Sequence, residues 1–323
     1  MTLRPQRHAI PDDILALSHE RDALRKQGKY DRADILKRQI EEAGYVIKDN
    51  PHGAHLVIPP SIEVNGETYR TSRHLPSYLD SPDSCTFSVN ILAHTTFEQV
   101  QRCIESVLCF AGKHAIEIVL VDNASQDELS IWAEALRTRE PRLLIARTAR
   151  PLGEAEARNI GLKLSRGRYI LLLDSSVELT GDVFTPLAAT LDDESIGISG
   201  WHGLITDDLR HFEESLHTEV TVVDGACLAF RRALLKSAGL LDERYRFARY
   251  MDIDFNFAVR ATGARVVVTP DLPLQSHPAL QDARLPDSER ERLTKRNFYR
   301  FLEKWGDRDD LLNEDAQQEN DTP

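Results

Sequence analysis

Three acidic residues beside apolar segments are the side chains of this sequence best placed for chemistry. Asp122 follows the apolar run Ile116–Val121, Asp174 follows Tyr169–Leu173, and Asp252 stands at the start of an amphipathic stretch. A carboxylate at a strand end can accept hydrogen bonds from a base or a ribose. It can also hold a divalent cation against phosphates, because Mg²⁺ and Mn²⁺ prefer oxygen ligands. Asp252 could serve as a general base toward a hydroxyl group.

Each of these positions also has a purely structural interpretation, and the residues alone leave both open. Ser125 could cap the helix after Asp122, and the Asp-Ser-Ser run at 174–176 is typical of a turn. Asp252 could N-cap the helix that it precedes. His277 could ligate a metal, although a single histidine is more often an ordinary surface or core residue.

Alternating strands and helices are expected to position these acids. The apolar pattern predicts strands at Phe87–Ala93, Ile116–Val121, Leu143–Ala146 and Tyr169–Leu173, separated by helices at Phe97–Phe110, Asp127–Thr138 and Glu154–Ser165. This alternation is typical of an α/β protein with a doubly wound, mostly parallel sheet. Such sheets bind ligands at the carboxyl ends of their strands. We therefore expect a site at 93–94, 122–123 and 174–176.

A smaller module is predicted ahead of this sheet. Residues Asp12–Lys26 and Tyr30–Ala43 have helical spacing, and two short strands follow at 45–47 and 55–58. We expect a helical hairpin and a β-hairpin within residues 1–60. Residues 61–85, rich in Pro and Ser, are interpreted as a linker with a short strand near Ile62–Val64, residues 86–305 as the large domain, and 306–323 as an acidic, disordered tail.

Composition narrows the function classes. The 323 residues are 41% hydrophobic with a formal net charge of −12, so the chain can build a core and would be repelled by DNA. Neither a charged-then-apolar leader nor a long apolar run is evident, and we expect a cytoplasmic protein without a transmembrane segment, leaving peripheral membrane association open. The four cysteines contain no CxxC pair and are expected to be free, buried thiols.

Six sequence blocks, in order, resemble the family 2 glycosyltransferases, which have the GT-A fold. The resemblance covers about residues 87–277. Its blocks are Ile116–Asp127, Gly153–Leu162, Arg168–Ser176, Asp224–Arg232, Gly239–Tyr245 and Asp252–Asp254. Each block is weakly specific by itself, and their order over this span makes the resemblance strong.

The resemblance implies transfer of a sugar from a UDP-, GDP- or dTDP-type nucleotide donor to an unknown acceptor hydroxyl, usually with inversion. Asp252 matches the family's catalytic base. The residues that match the nucleotide site or flank it at the strand ends are His94, Asp122, Asn123, Ser125 and Arg158. The implied metal ligands for Mn²⁺ or Mg²⁺ are Asp174, Ser176 and His277.

Two departures from the family pattern bear on the metal and on catalysis. Ser176 stands where members usually have the second Asp of the D-x-D motif, and Met251 replaces the Glu of a Glu-Asp pair that keeps Asp252. We therefore expect a weak metal site. A catalytically degenerate protein that binds a nucleotide sugar without turnover is the alternative, and an interaction protein that uses the N-terminal module is another.

The N-terminal segment has a resemblance of its own. Residues of about 21–58, including Arg21–Lys26, Tyr30–Lys37 and Asp49–Gly53, resemble the C-terminal piece of cysteinyl-tRNA synthetases. The segment contains none of that enzyme's catalytic part, so synthetase activity does not follow. Docking of a partner or self-association is the first interpretation. Nucleic-acid contact is the other, disfavoured by a nearly balanced charge.

Overall fold

The computed structural model describes residues 10–50, 53–57, 61–93, 96–125, 127–247, 249–277 and 287–312. The chain divides into two compact units. The first comprises residues 1–61 and 69–74, and the second comprises residues 62–68 and 75–323.

The first unit is a helical hairpin followed by a β-hairpin, as the sequence predicts. Its elements are α1 (Asp12–Lys26), α2 (Tyr30–Glu42), β1 (Val46–Asn50) and β2 (Gly53–Val57). Ile14, Ile40 and Tyr45 form its small core. The buried Arg21 guanidinium donates to both carboxylate oxygens of Asp49 at 2.8 and 3.0 Å, and this hydrogen bonding lowers the pKa of Asp49.

The remaining elements follow in chain order. The strands are β3 (Ile62–Val64), β4 (Glu67–Tyr69), β5 (Cys85–Ala93), β6 (Ile116–Asp122), β7 (Leu143–Thr148), β8 (Gly167–Asp174), β9 (Val177–Leu179), β10 (Ile196–Gly200), β11 (Gly203–Ile205), β12 (Glu213–Ser215), β13 (Val222–Val223), β14 (Cys227–Arg231), β15 (Arg265–Val268) and β16 (Leu274–Ser276). The helices are α3 (Phe97–Phe110), α4 (Asp127–Arg137), α5 (Glu154–Leu164), α6 (Phe184–Leu191), α7 (Leu235–Ala238), α8 (Met251–Arg260) and α9 (Asp287–Trp305).

A nine-stranded sheet dominates the part of the chain that the structure describes. Its strand order is β15-β10-β14-β8-β5-β6-β7-β3-β4. Strands β8, β5, β6 and β7 run parallel, whereas β14 is antiparallel to both β8 and β10, and β3 is antiparallel to β7. The parallel strands are nearly continuous apolar runs because helices cover both faces of the sheet. The predicted α/β fold class is confirmed.

The two faces of β8 belong to two separate cores. Leu171 and Leu173 pack with residues of α3, α4 and α6, whereas Ile170 and Leu172 pack with residues of α5 and α8. Strand alternation explains the division, since successive side chains point to opposite faces. In α5, Gly161 permits a close approach to the sheet, because a Cβ atom there would lie 2.2 Å from the amide oxygen of Asn90.

Helix α9 is fastened to the beginning of α8 by a buried polar cluster. The carboxylate of Asp254 accepts hydrogen bonds from Lys304 Nζ at 2.8 Å and from the indole N–H of Trp305 at 2.8 Å. Tyr245 donates its hydroxyl to the same carboxylate at 3.3 Å. The cluster fixes both helices relative to each other, because Asp254 is only 3% exposed and breaking such a buried pair is costly.

Two further findings complete the fold. No helix within the described ranges is long and apolar enough to cross a bilayer. All four cysteines are free, with Cys103 and Cys227 buried, but Cys109 in the last turn of α3 is exposed. The expectation of burial is therefore wrong for Cys109, which lies one turn after the exposed Glu105 on the solvent-facing side of α3, and Cys85 is only partly buried.

Candidate functional site

The carboxyl ends of three neighbouring parallel strands bring two of the predicted acids to one edge of the sheet. Ala93 at the end of β5 pairs with Asp122 of β6, and Leu92 pairs with Asp174 of β8. Asp122 and Asp174 therefore flank β5, with their backbones about 10 Å apart, two strand spacings. Ligands of doubly wound sheets bind at this kind of edge.

Asp122 shapes the turn that follows its strand. Its Oδ1 accepts the backbone N–H of Ser125 at 2.8 Å, and its Oδ2 accepts hydrogen bonds from the Ser130 hydroxyl at 3.1 Å and from Arg147 Nε at 3.0 Å. The residue is 1% exposed. The carboxylate thus fixes the Ser125 turn, and it is paired with a cation of its own chain. His94, the candidate at the end of β5, lies outside the described residues.

Asn123 links the same turn to the segment before α5. Its amide oxygen accepts the N–H of Leu152 at 2.8 Å and the hydroxyl of Thr148 at 3.1 Å, and its Nδ2 donates to the carbonyl of Leu152. One turn into α5, the buried Arg158 donates to Glu154 at 3.3 Å. The predicted nucleotide-binding residues that the structure describes therefore lie on connected segments.

The predicted metal ligands meet around Ser176. Both the N–H and the hydroxyl of Ser176 donate to Oδ1 of Asp174, at 2.8 and 2.7 Å. The carbonyl of Ser176 accepts the backbone N–H of His277 at 2.9 Å, because β9 and β16 pair alongside. The Nε2 of His277 lies 2.6 Å from a carboxylate oxygen of Glu178. This contact places the imidazole proton on Nε2 and leaves Nδ1 as the nitrogen suited to a metal.

These residues form an incomplete donor set for a divalent cation. Among the described residues, no group of three His, Cys, Asp or Glu side chains is arranged to hold a metal ion. One carboxylate, one hydroxyl and one imidazole do match the mixed oxygen and nitrogen ligation that Mn²⁺ accepts. The set fits a cation whose remaining ligands come from a bound diphosphate.

Asp252 lies in the first turn of α8, where the turn between β13 and β14 contacts it. Tyr250 occupies the N-cap position, so Asp252 does not cap the helix. The Gly225 N–H donates to Oδ2 of Asp252 at 3.0 Å. Burial, which is the largest cause, and the negative charge of Asp224 together raise the pKa of Asp252 to about 6, against the lowering effect of backbone N–H groups. A carboxylate with this pKa is suited to general base catalysis near neutral pH.

Asp224 is a functional candidate that the sequence reasoning missed. Burial, followed by the negative charge of Asp174, raises the pKa of its carboxyl group. Asp174 in turn donates its backbone N–H to the carbonyl of Ala226 at 2.9 Å. The charge of Asp174 therefore acts on Asp224, and the charge of Asp224 acts on Asp252. Asp224 is the first residue of the block Asp224–Arg232, which carries part of the family resemblance. Its position at the start of that block is the sequence feature that indicates a functional role.

Comparisons with known proteins identify the family of this chain. The glycosyl transferase family 2 model matches residues 88–257, just over half of the chain. Succinoglycan biosynthesis protein ExoO of Rhizobium meliloti is 34% identical over 100 residues, which are 31% of this chain and 27% of that protein. The UDP-Glc:alpha-D-GlcNAc-diphosphoundecaprenol beta-1,3-glucosyltransferase WfaP of Escherichia coli is 33% identical over 88 residues, 27% of this chain and 34% of WfaP. The chain spans only about a quarter to a third of these relatives.

A solved structure confirms the fold. The crystal structure of GalNAc-T7 with UDP, GalNAc and Mn²⁺ superimposes with a TM-score of 0.60 at 19% identity, covering 70% of this chain and 49% of that one. At this identity the likeness concerns the fold, and it confirms the predicted GT-A type. The extent of the family match and the GT-A sheet together show that the chain belongs to glycosyl transferase family 2.

Proposed function

We propose that the protein transfers a sugar from a nucleotide diphosphate donor to an acceptor hydroxyl, with inversion. Family membership supports the reaction class. The relative WfaP is named for a UDP-glucose donor, which favours a UDP-sugar over GDP or dTDP types. The single observation that carries the proposal is the Asp252 carboxylate, held at 3.0 Å by the Gly225 N–H with its pKa raised to about 6.

Asp252 acts in this proposal as the general base. Its carboxylate removes the proton from the acceptor hydroxyl as that oxygen attacks the sugar carbon and the nucleotide diphosphate leaves. A group with a pKa of about 6 is mostly ionised at neutral pH and still basic enough to take a proton in the transition state. Burial is the main cause of this raised pKa, and the negative charge of Asp224 adds to it.

Asp174, Ser176 and His277 would hold Mn²⁺ or Mg²⁺ in this proposal. The cation would supply positive charge to the departing diphosphate. Asp174 contributes a carboxylate, and His277 is oriented by Glu178 at 2.6 Å. Because a single carboxylate holds a hard cation weakly, we expect metal and donor to bind together.

The nucleotide is assigned to the turn after β6 and its neighbours. We assign Asp122, Asn123, Ser125 and Arg158 to this part of the site, together with His94 from the end of β5. The hydrogen bonds of Asp122 to Ser125 and of Asn123 to Leu152 support a preformed turn there. A preformed turn lowers the entropy cost of binding a nucleotide.

The N-terminal module is assigned to docking or self-association. It has the helical hairpin and β-hairpin that its residue pattern predicts, and its exposed apolar side chains include Tyr30, Ile35 and Val46. The boundaries at residues 60, 85 and 305 and a cytoplasmic location, with or without membrane contact, stay predictions of the sequence.

An assay across donors tests the proposed reaction. The full chain, with Mn²⁺, is offered UDP-, GDP- and dTDP-sugars, and both transfer and slow donor hydrolysis are followed by release of the nucleotide diphosphate. We expect turnover with one nucleotide class, which calorimetry also shows to bind. Binding of a nucleotide sugar without any turnover would instead support the degenerate, binding-only alternative that Ser176 suggests. If the chain neither binds nor turns over any of these nucleotide sugars, the assignment is overturned.

A further inference from the structure

A positively charged cleft lies beside the beginning of α8, outside the residues assigned above to the donor, the metal and the base. It has a volume of about 750 Å³. We call it the basic cleft and define it by six of its lining residues, Arg210, Arg249, Tyr250, Arg290, Lys295 and Phe298. Four of these six are cationic, whereas the whole chain has a net charge of −12. The cleft is therefore a local reversal of the protein's charge.

Three of the four cationic side chains of the basic cleft are available to a ligand. Within the described part of the chain, Arg210, Arg249 and Lys295 make no ion pair with a carboxylate, and all three are exposed. Glu291 is the acid among the lining residues, so the cations outnumber it. Guanidinium groups present paired N–H donors that match the oxygens of a phosphate group.

The walls of the basic cleft are fixed by contacts from α9. The Nδ2 of Asn297 donates to the carbonyls of Phe247 and Arg249, at 3.1 and 2.9 Å. The Tyr250 ring packs on Phe298, with the ring centroids 5.7 Å apart. Two aromatic rings beside four cations form a surface to which a sugar ring and its phosphate can both bind.

Tyr250 lines the basic cleft and lies close in the chain to the proposed base Asp252. Tyr250 has a φ of +74°, an unfavourable value for a bulky residue, and it comes two residues before Asp252. Backbone strain of this kind persists where surrounding contacts hold it, and it clusters at functional sites. A ligand in the basic cleft would therefore lie next to the segment that carries the base.

We propose that the basic cleft binds a phosphate group carried by the acceptor. That the ligand is an acceptor rests on the proposed function. That the cleft binds a phosphate group is argued from the residues of the cleft alone. The acceptor class is then a phosphorylated sugar, with its phosphate on Arg210, Arg249 and Lys295 and its ring against Tyr250 and Phe298.

A binding experiment tests this without requiring turnover. Glucose 1-phosphate is titrated into the full chain by calorimetry in the presence of saturating UDP and Mn²⁺, which keep the probe out of the donor site, and glucose serves as the neutral comparison. We expect glucose 1-phosphate to bind and glucose not to. The Arg249→Glu, Lys295→Glu double variant should weaken the binding by about tenfold or more, since hydrogen bonds to charged groups contribute more than those between neutral groups.

The matched control is Arg296→Glu, a charge reversal at an exposed position of the same helix that does not line the cleft. It should keep the wild-type affinity for glucose 1-phosphate. Equal affinity in wild type and double variant, with both chains folded by circular dichroism, would overturn the proposal. Vesicles of phosphatidylglycerol form a further arm. If the wild type bound these vesicles but not glucose 1-phosphate, and the double variant lost that binding, the phosphate would belong to a membrane surface and the acceptor assignment would be wrong.

The outcome is separable from that of the proposed function. Failure of UDP to bind would count against the glycosyltransferase assignment, and the titration of glucose 1-phosphate would still report on the cleft. Loss of probe binding in the double variant with unchanged affinity for UDP would support the cleft and leave the donor site intact.

Discussion

The backbone N–H of Gly225 donates a hydrogen bond of 3.0 Å to Oδ2 of Asp252. A Cβ atom at position 225 would lie 3.2 Å from that oxygen, so glycine allows the turn before β14 to approach the carboxylate closely. The bond directs the carboxylate toward the same segment that carries Asp224 and contacts Asp174. The proposed base is thereby joined to the edge of the sheet where the donor is expected.

Asp224→Asn should shift the pH dependence of turnover. The negative charge of Asp224 raises the pKa of Asp252, so its removal lowers that pKa. Because the base works when ionised, activity rises with pH through a value of about 6 in the wild type. In Asp224→Asn this rise should occur at lower pH, measured as kcat/KM against pH.

Glu214→Gln provides the control for this shift. Glu214 is exposed and affects the pKa of Asp224, but it is not among the groups that shift Asp252. In Glu214→Gln the rise of kcat/KM with pH should occur at the same pH as in the wild type. If this rise is also unchanged in Asp224→Asn, Asp224 and Asp252 are not coupled as described.

Ser176→Asp should strengthen Mn²⁺ binding. Hard cations bind more tightly as anionic oxygen ligands are added, and Ser176 supplies only a hydroxyl beside Asp174. Electron paramagnetic resonance of added Mn²⁺ measures the free ion, with and without UDP. The wild type should bind little Mn²⁺ alone and more with UDP. Tight binding by the UDP-free wild type that survives both Asp174→Ala and His277→Ala would contradict the assigned ligands.

Asp122→Ala should weaken UDP binding without unfolding the domain. The carboxylate holds the Ser125 N–H at 2.8 Å and the Arg147 side chain at 3.0 Å, so its loss loosens the turn assigned to the nucleotide. Calorimetry measures the affinity for UDP, and a melting curve checks the fold. Wild-type affinity in a folded Asp122→Ala variant would remove Asp122 from the nucleotide site.

Lys304→Met should destabilise the domain by about 1–3 kcal/mol, the cost of leaving a buried polar group without its partner. Its ammonium group lies 2.8 Å from the buried carboxylate of Asp254. Lys236→Met is the matched control, since Lys236 pairs with the exposed Asp80 and such surface pairs contribute about 0–1 kcal/mol. Urea unfolding gives both values. Equal stability of the two variants would show that the Asp254 cluster contributes little.

The regular part of the fold was predictable from local pattern. Helix α3 begins and ends as the spacing predicts, and strands β5 and β8 extend only one to two residues beyond the predicted bounds. Buried parallel strands read as continuous apolar runs, and amphipathic helices have their own period, so each element is specified by nearby residues.

Long-range pairing was not predictable in the same way. The antiparallel insertion of β14 between β8 and β10 depends on contacts between residues such as Cys227 and Leu173, which are far apart in the chain. The coupling of Asp224 to Asp252 has the same origin. Helix α9 has a polar sequence, and its Lys304 and Trp305 are anchored by Asp254, which is also far from them in the chain.

The most direct test of the account is the turnover of Asp252→Asn. Asparagine keeps the size of the side chain and an oxygen for the Gly225 N–H, but it cannot take up a proton. With the donor that the wild type uses, the variant should bind UDP as tightly as the wild type while its kcat falls by about 10²–10⁴, the usual contribution of a general base. Asp80→Asn, at an exposed position, should keep full activity. Near wild-type kcat in a folded Asp252→Asn variant would contradict the central claim that Asp252 is the base.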